Sequence, residues 1–165
     1  MAVVDTRDTS PSYLEHGKQK FLIFDAPTDE NLHLYIRDFA AHKVKNVVRV
    51  CDSTYSTEPL KRNGITVHEL PFPDGERPPD AVIDAWLNLG AKIFENESLG
   101  AIGIHCVAGL GRAPVLVAIA LIESGLDPLE AVTKVRSKRR KSINQKQLQF
   151  LLSYKRRSSK KCVIM

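Results

Sequence analysis

Residues 101–123 read AIGIHCVAGLGRAPVLVAIALIE. The first six, Ala101 to Cys106, form a short apolar run that ends in a cysteine. From about Gly111 to Ser124 the chain is apolar on nearly every side, with Pro114 at its start and Gly125 just beyond its end. Proline is tolerated in a first helical turn and glycine favours a helix C-terminus, so the stretch reads as strand, glycine-bearing loop, buried helix. Its longest apolar part, Ala113 to Ile122, is far short of the ~20 residues that a membrane span needs.

The same alternation extends outward. Residues 12–25 suggest a hairpin turning at His16-Gly17-Lys18, with FLIF in its second strand. Thr28, followed by Asp29 and Glu30, is expected to cap a helix whose apolar residues Leu32, Tyr35, Ile36, Phe39 and Ala40 recur at helical spacing. A strand NVVRVC follows and ends at Cys51; Asn63-Gly64 is a turn and ITVHEL a further strand. Pro79 opens a helix with Val82, Ile83, Trp86, Ile93 and Phe94 on one face. After the central stretch, Asp127-Pro128-Leu129-Glu130 suggests a capping box for one helix, and Asn144 with Gln147 one for the last. Strands joined by helical crossovers predict an α/β fold, a central largely parallel sheet of about five strands flanked by helices. Ligands of such folds gather beyond the carboxyl ends of the strands. Cys51 and Cys106 both lie at such ends.

The composition, 43% hydrophobic and 26% charged, is that of a globular chain of one domain. MAVVDTRDTS lacks a basic start followed by an apolar run, so no secretory signal is expected and the reducing cytosol is the expected compartment. Of the 24 Lys and Arg residues, five lie in 155–165, where there are no acids; residues 1–154 hold 19 bases against 19 acids. A nucleic-acid-binding domain spreads its basicity over a face of the fold, whereas this excess sits in a short tail, so no nucleic acid is expected and residues 155–165 suggest a surface tether. A second cluster of six bases, Lys134 to Lys141, fits either a solvated helix face or a patch for anions.

Between strand and helix lies HCVAGLGR, residues 105–112. Gly109 and Gly111 permit backbone angles that aim the N–H groups of Val107, Ala108, Gly109, Leu110 and Gly111 inward, and the positive end of the following helix adds to their field. Such a loop would wrap a phosphate. The same field favours a thiolate, making Cys106 a nucleophile at neutral pH. Arg112 is planar and can bind two phosphate oxygens at once, most strongly as charge develops in the transition state. The proline-rich segment PFPDGERPP offers Asp74 as the acid that protonates a leaving oxygen and then activates water; Asp74-Gly75 is equally a turn signal, and Glu76 is a weaker alternative acid. Neither a metal nor a cofactor is required.

RVCDSTY at 49–55, PFPDG at 71–75, HCVAGLGRAPVLVA at 105–118, KRRKSINQKQL at 138–148 and the basic C-terminus ending in Cys-Val-Ile-Met together resemble the phosphatases of regenerating liver. These are prenylated members of the dual-specificity branch of the protein tyrosine phosphatases. The resemblance implies a cysteine-phosphatase fold over 1–154 and phosphoproteins as substrates. It makes Cys106 the nucleophile, Arg112 the phosphate ligand, Asp74 the acid, and Cys51 a partner able to form a disulfide with Cys106. It also implies binding to CBS-domain magnesium-transport mediators and assembly into homotrimers. Two departures stand out. Leu70 and Pro73 replace a tryptophan and an aspartate usual in the acid loop. Here, as in the regenerating-liver group itself, Ala113 follows the arginine where most related phosphatases carry the Ser or Thr that assists the leaving thiolate, which implies slow turnover. Two alternatives stand beside this: a pseudophosphatase-like binding module that grips magnesium-transport mediators, and a phosphoinositide phosphatase, disfavoured because Val107 and Leu110 stand where lipid phosphatases carry lysines.

Cys51 reads either as a small buried hydrophobe or, at the end of a strand neighbouring that of Cys106, as half of a redox pair. Cys162-Val163-Ile164-Met165 fits the prenylation pattern with methionine favouring farnesyl. A single lipid beside a polybasic run is a sufficient membrane anchor, at ~1 kcal/mol per base near an anionic leaflet. The expected location is the cytoplasmic face of the plasma membrane and endosomes.

Overall fold

A computed structural model describes residues 4–96 and 100–157. Five strands form one sheet: β1 (Ser12–His16), β2 (Gln19–Phe24), β3 (Asn46–Arg49), β4 (Thr66–Glu69) and β5 (Ile102–His105), in the order β1-β2-β5-β3-β4. All neighbours are parallel except the edge pair β1–β2. Gly17, at φ +58°, lets that hairpin turn within two residues. Strand β5 is central and wholly buried, which is why IGIH shows no polar alternation.

Helices cover both faces: α1 (Leu32–Ala41) and α2 (Glu58–Arg62) on one, α3 (Asp80–Glu95), α4 (Arg112–Glu123), α5 (Pro128–Lys138) and α6 (Gln145–Leu152) on the other. The period of two along β2 divides the cores. Phe21 and Ile23 join the α3–α6 core, while Leu22 and Phe24 join the core of α1 and α2 with Tyr35 and Phe39. Helix α4 is the spine of the larger core, with every residue from Arg112 to Ile122 buried. Trp86 of α3 donates its indole N–H to the Leu116 carbonyl at 2.7 Å. Among the described residues no helix is long and apolar enough to cross a membrane.

Local differences from the sequence reading have identifiable causes. Helix α1 begins at Leu32, later than a cap at Thr28 would place it, because Thr28 and Asn31 first close a turn with each other: the Thr28 N–H donates to Asn31 Oδ1 at 2.7 Å and the Asn31 N–H to Thr28 Oγ1 at 3.4 Å. Regular pairing in β3 stops at Arg49, two residues before Cys51. Helix α2 has five residues, too few for an apolar period to register. Asp127 caps α5 through the Leu129 N–H at 3.2 Å rather than through a box with Glu130, whereas the reciprocal Asn144–Gln147 box opens α6 as expected. The basic run assigned to a tail begins on the body. Arg156 Nε donates to the Ile122 carbonyl at 2.7 Å, and Arg157 pairs with Asp80 and, at 3.1 Å, Asp84 of α3. Cys162 lies outside the described residues.

His105 closes β5 with no exposure, its ring 5.0 Å from that of Phe24 and 5.4 Å from that of Tyr55. Burial pushes its pKa from 6.5 to about 4. An unfolded chain therefore takes up this proton as pH falls through 6.5, while the folded chain does so only near 4, and folding weakens with falling pH across that window by up to roughly 3 kcal/mol from this group alone. Denaturant titrations at pH 7 and pH 4.5 should show a smaller loss of stability on acidification in His105→Gln than in the parent; equal losses would contradict the assignment.

Candidate active site

The chain leaves β5 at His105 and reaches α4 at Arg112 through a loop whose carbonyls from Val107 to Leu110 are held from outside. The Ala26 N–H donates to Val107 O at 2.8 Å, Arg139 Nη2 to Ala108 O at 3.2 Å, Arg139 Nε to Gly109 O at 2.8 Å, and the Ile143 N–H to Leu110 O at 2.8 Å. In a trans peptide the C=O and N–H point in opposite directions, so the N–H groups of residues 108–111 turn toward the other side. That side is a cleft of about 290 Å³ whose lining includes Asp74, Cys106, Leu110, Arg112, Lys141 and Gln147. The N-terminus of α4 opens onto it, making it a site for an anion. Gly109 has φ +69°, and a methyl group there would stand 2.6 Å from both the Phe24 carbonyl and Arg139 Nη2, so the loop closes only around glycine.

Arg112 is fixed before any ligand arrives. Its Nη1 donates to Val50 O at 3.3 Å and Phe72 O at 3.1 Å, while its buried Nε has no hydrogen-bond partner among the described residues. Asp74 Oδ1 approaches that nitrogen at 3.8 Å, too far for a hydrogen bond. A buried guanidinium N–H left open beside a cradle of backbone donors is suited to an oxyanion with more than one oxygen.

The turn signal at Asp74-Gly75 is realised. Gly75 turns at φ +79°, the Glu76 N–H donates to Pro73 O at 3.3 Å, and this turn presents the exposed Asp74 carboxylate at the cleft. Glu76 faces an adjoining pocket with Arg77, Val115 and Phe150. Leu70, in the place of the usual tryptophan, extends the β3–β4 pairing through its N–H to Arg49 O at 2.9 Å and packs against the larger core.

Cys106 is buried at the base of the cleft. His105 Nδ1 lies 3.2 Å from the Cys106 carbonyl, which can only accept; Nδ1 therefore carries the proton and Nε2 accepts from the Tyr55 hydroxyl at 2.7 Å. The same Nδ1 is 3.8 Å from Cys51 Sγ. Cys51 sits where adjacent strands β3 and β5 end, lining a second cleft of about 440 Å³ that shares Asp74 and Arg112 with the first. Burial pushes its thiol up, against a smaller opposite pull from Arg112. Behind it, buried Arg49 pairs with Glu69 at 2.7 Å and lies over the Tyr55 ring.

Of the sequence-derived residues, Cys106, Asp74, Arg112, Val107, Ala108, Leu110 and Gly111 line one cleft, Gly109 shapes it from beneath, and Cys51 lines its neighbour. The basic cluster at 134–141 is not one solvated face, because α5 ends inside it. Arg139 turns into the protein, Arg136 braces the Ser142 and Ile143 carbonyls at 3.0 and 2.6 Å, and Lys141 reaches the cleft. Arg139, Lys141, Asn144 and Gln147 were not among the site residues the sequence suggested. Their segment was marked by the basic cluster, by the resemblance at 138–148 and by the Asn144–Gln147 capping signal, none of which assigned them to the site.

A family model described as "Polymorphic toxin system, DSP-PTPase phosphatase" matches residues 35–126. The chain is 54% identical over 154 residues to "Probable protein tyrosine phosphatase type IVA A" of Dictyostelium discoideum, covering 93% of each, and 44% identical over 146 residues to protein tyrosine phosphatase type IVA 3 of Homo sapiens, covering 88% of this chain and 84% of the relative. A solved protein tyrosine phosphatase of Leishmania major superposes with a TM-score of 0.78 at 40% identity, covering 90% of this chain and all of that one. PTPMT1, at 20% identity and a TM-score of 0.73, shares the fold over 93% of this chain and 99% of its own. With relatives of this closeness along most of its length, the chain belongs to the type IVA, or regenerating-liver, family of protein tyrosine phosphatases.

Proposed function

We propose that the chain hydrolyses phosphate monoesters of phosphoproteins through a phosphocysteine on Cys106. The observation that carries this is the cradle of N–H groups from residues 108–111 facing the open Nε of Arg112 above a buried cysteine. The Cys106 thiolate attacks phosphorus, the ester P–O bond breaks, and Asp74 passes its proton to the departing oxygen. Asp74, now a carboxylate, takes a proton from water; the water oxygen attacks phosphorus, the P–S bond breaks, and phosphate leaves with the thiolate restored. The loop and Arg112 bind the equatorial oxygens most tightly when their charge is greatest.

Ala113, buried in the first turn of α4, offers no hydroxyl to the departing thiolate, which supports a slow second step. Stopped-flow hydrolysis of an aryl phosphate should show a burst followed by slow turnover. Ala113→Ser should raise the steady rate without changing the burst, Cys106→Ser should abolish both, and Asp74→Ala should lower hydrolysis of a phosphopeptide by about 10²-fold or more. Turnover surviving in Cys106→Ser would refute the mechanism. Lys141, exposed and reaching the same cleft, favours a second reading in which the substrate is a phosphoinositide, since it supplies a cation that Val107 and Leu110 do not. In the same assay, Lys141→Ala should then impair phosphoinositide hydrolysis more than phosphopeptide hydrolysis; equal effects leave the phosphoprotein reading alone.

The neighbouring ends of β3 and β5 support a redox role for Cys51. Peroxide would convert the Cys106 thiolate to a sulfenic acid, and the Cys51 sulfur would displace its oxygen as water to leave a disulfide. Mass mapping after peroxide treatment should recover a Cys51–Cys106 peptide; overoxidised Cys106 without it would argue against the switch. The Cys162-Val163-Ile164-Met165 motif beside Lys160 and Lys161 supports farnesylation and a cytoplasmic membrane-surface location. Cys162→Ser should shift the protein from the membrane to the soluble fraction, and an unchanged distribution would exclude the anchor. Binding to magnesium-transport mediators and homotrimer assembly are supported by the family resemblance alone.

A further inference from the structure

Arg139 ends α5 and is 6% exposed. Among the described residues all five of its side-chain hydrogen bonds go to neutral oxygens: Nε to Gly109 O at 2.8 Å, Nη2 to Ala108 O at 3.2 Å, and Nη1 to Ser12 Oγ at 3.1 Å, Ser10 O at 3.3 Å and Ile23 O at 3.3 Å. Among the described residues no carboxylate pairs with it; Asp25 and the Cys106 sulfur act on it only through space. A buried guanidinium without a bonded counter-ion is strongly unfavourable unless a negative charge faces it from nearby. The cleft on the far side of the loop is where that charge would come to rest.

We infer that Arg139 is a positioning residue for phosphoryl transfer, a buried cation that grips two successive loop carbonyls so that the N–H groups on the opposite side of the same peptides face the phosphate. This rests on the reading of the loop as the phosphate cradle. The Ala108 carbonyl belongs to the peptide whose N–H is that of Gly109, and the Gly109 carbonyl to the peptide whose N–H is that of Leu110. Each peptide is thus held between a fixed positive charge and the incoming negative one, and its dipole is oriented and polarised in the direction that binds an oxyanion. A planar fork matches two consecutive carbonyls; a lysine ammonium brings the charge without that fork.

The segment beyond Arg139 is shaped to keep this grip. Lys141 and the buried, β-branched Ile143 both have positive φ, at 66° and 64°, a conformation unusual for such residues. Ile143 spends it on an N–H bond to Leu110 O at 2.8 Å, and Arg136 ties down the Ser142 and Ile143 carbonyls. The turn that returns the chain to the loop and the arginine that holds the loop are therefore one unit.

The test uses the full chain, with orthovanadate as the probe of the cradle and an aryl phosphate as substrate, in the parent and in Arg139→Met, Arg139→Lys and Ser12→Ala. Arg139→Met should weaken orthovanadate inhibition and lower kcat together, by about ten- to a hundredfold, the range found when a group that orients ligating atoms is removed. KM should change less than kcat, because the grip matters most as charge develops on the phosphate. Arg139→Lys should recover part of both quantities, and Ser12→Ala, which removes one of the acceptors remote from the loop, should leave both near the parent. Should Arg139→Met fail to fold, Arg139→Lys decides: a folded lysine variant with parental orthovanadate affinity and kcat would overturn the inference. So would variants that lose thermal stability while keeping both quantities. Turnover by Cys106→Ser would instead overturn the cradle reading itself, so the two failures are distinguishable.

Discussion

The four outward hydrogen bonds on the carbonyls of residues 107–110 are the constraint on which the site depends. A loop of six residues between a buried strand and a buried helix cannot satisfy its own backbone, and three segments contribute the donors: Ala26 after β2, Arg139 at the end of α5, and Ile143 before α6. Once the carbonyls are taken from behind, the N–H groups have no partner among the described residues and are left to a ligand. The anion site is therefore a product of the fold's hydrogen-bond accounting as much as of the loop's own sequence.

The same logic links the two cysteines. Strands β3 and β5 are parallel neighbours whose carboxyl ends lie side by side, so Cys51 and Cys106 share a neighbourhood, with Arg112 common to both clefts. His105 lies between them with a fixed tautomer, its Nδ1 proton turned toward the Cys106 carbonyl and near Cys51 Sγ. A buried neutral imidazole adds no charge to either thiol. The positive field comes from the helix terminus and Arg112, with Arg139 behind the loop and Arg49 beside Cys51.

Much of this was legible in the sequence, and the reasons differ by element. HCVAGLGRAP carries its own geometry, because glycines at 109 and 111 and a proline at 114 admit few backbone courses between an apolar strand and an apolar helix. The alternation of strands and crossovers likewise predicted the parallel sheet and the neighbouring strand ends for Cys51 and Cys106. Helix α2 was not legible because five residues carry no period, and the start of α1 was misplaced because Thr28 bonds to Asn31 before the helix begins. Arg139 was hidden for a different reason. Within six bases in eight residues, nothing local distinguishes the one that turns inward; its partners at positions 10, 12, 23, 108 and 109 are brought to it only by the tertiary fold.

The central claim is that this cradle transfers a phosphoryl group to Cys106 and releases it slowly. The most direct measurement is rapid acid quench of the protein with an isotopically labelled phosphoester, followed by peptide mapping under conditions that preserve a thiophosphate ester. The account predicts label on the peptide containing Cys106 at close to one equivalent during steady turnover, decaying at the rate of phosphate release. Label on any other residue, or hydrolysis proceeding with no labelled intermediate on Cys106, would contradict it.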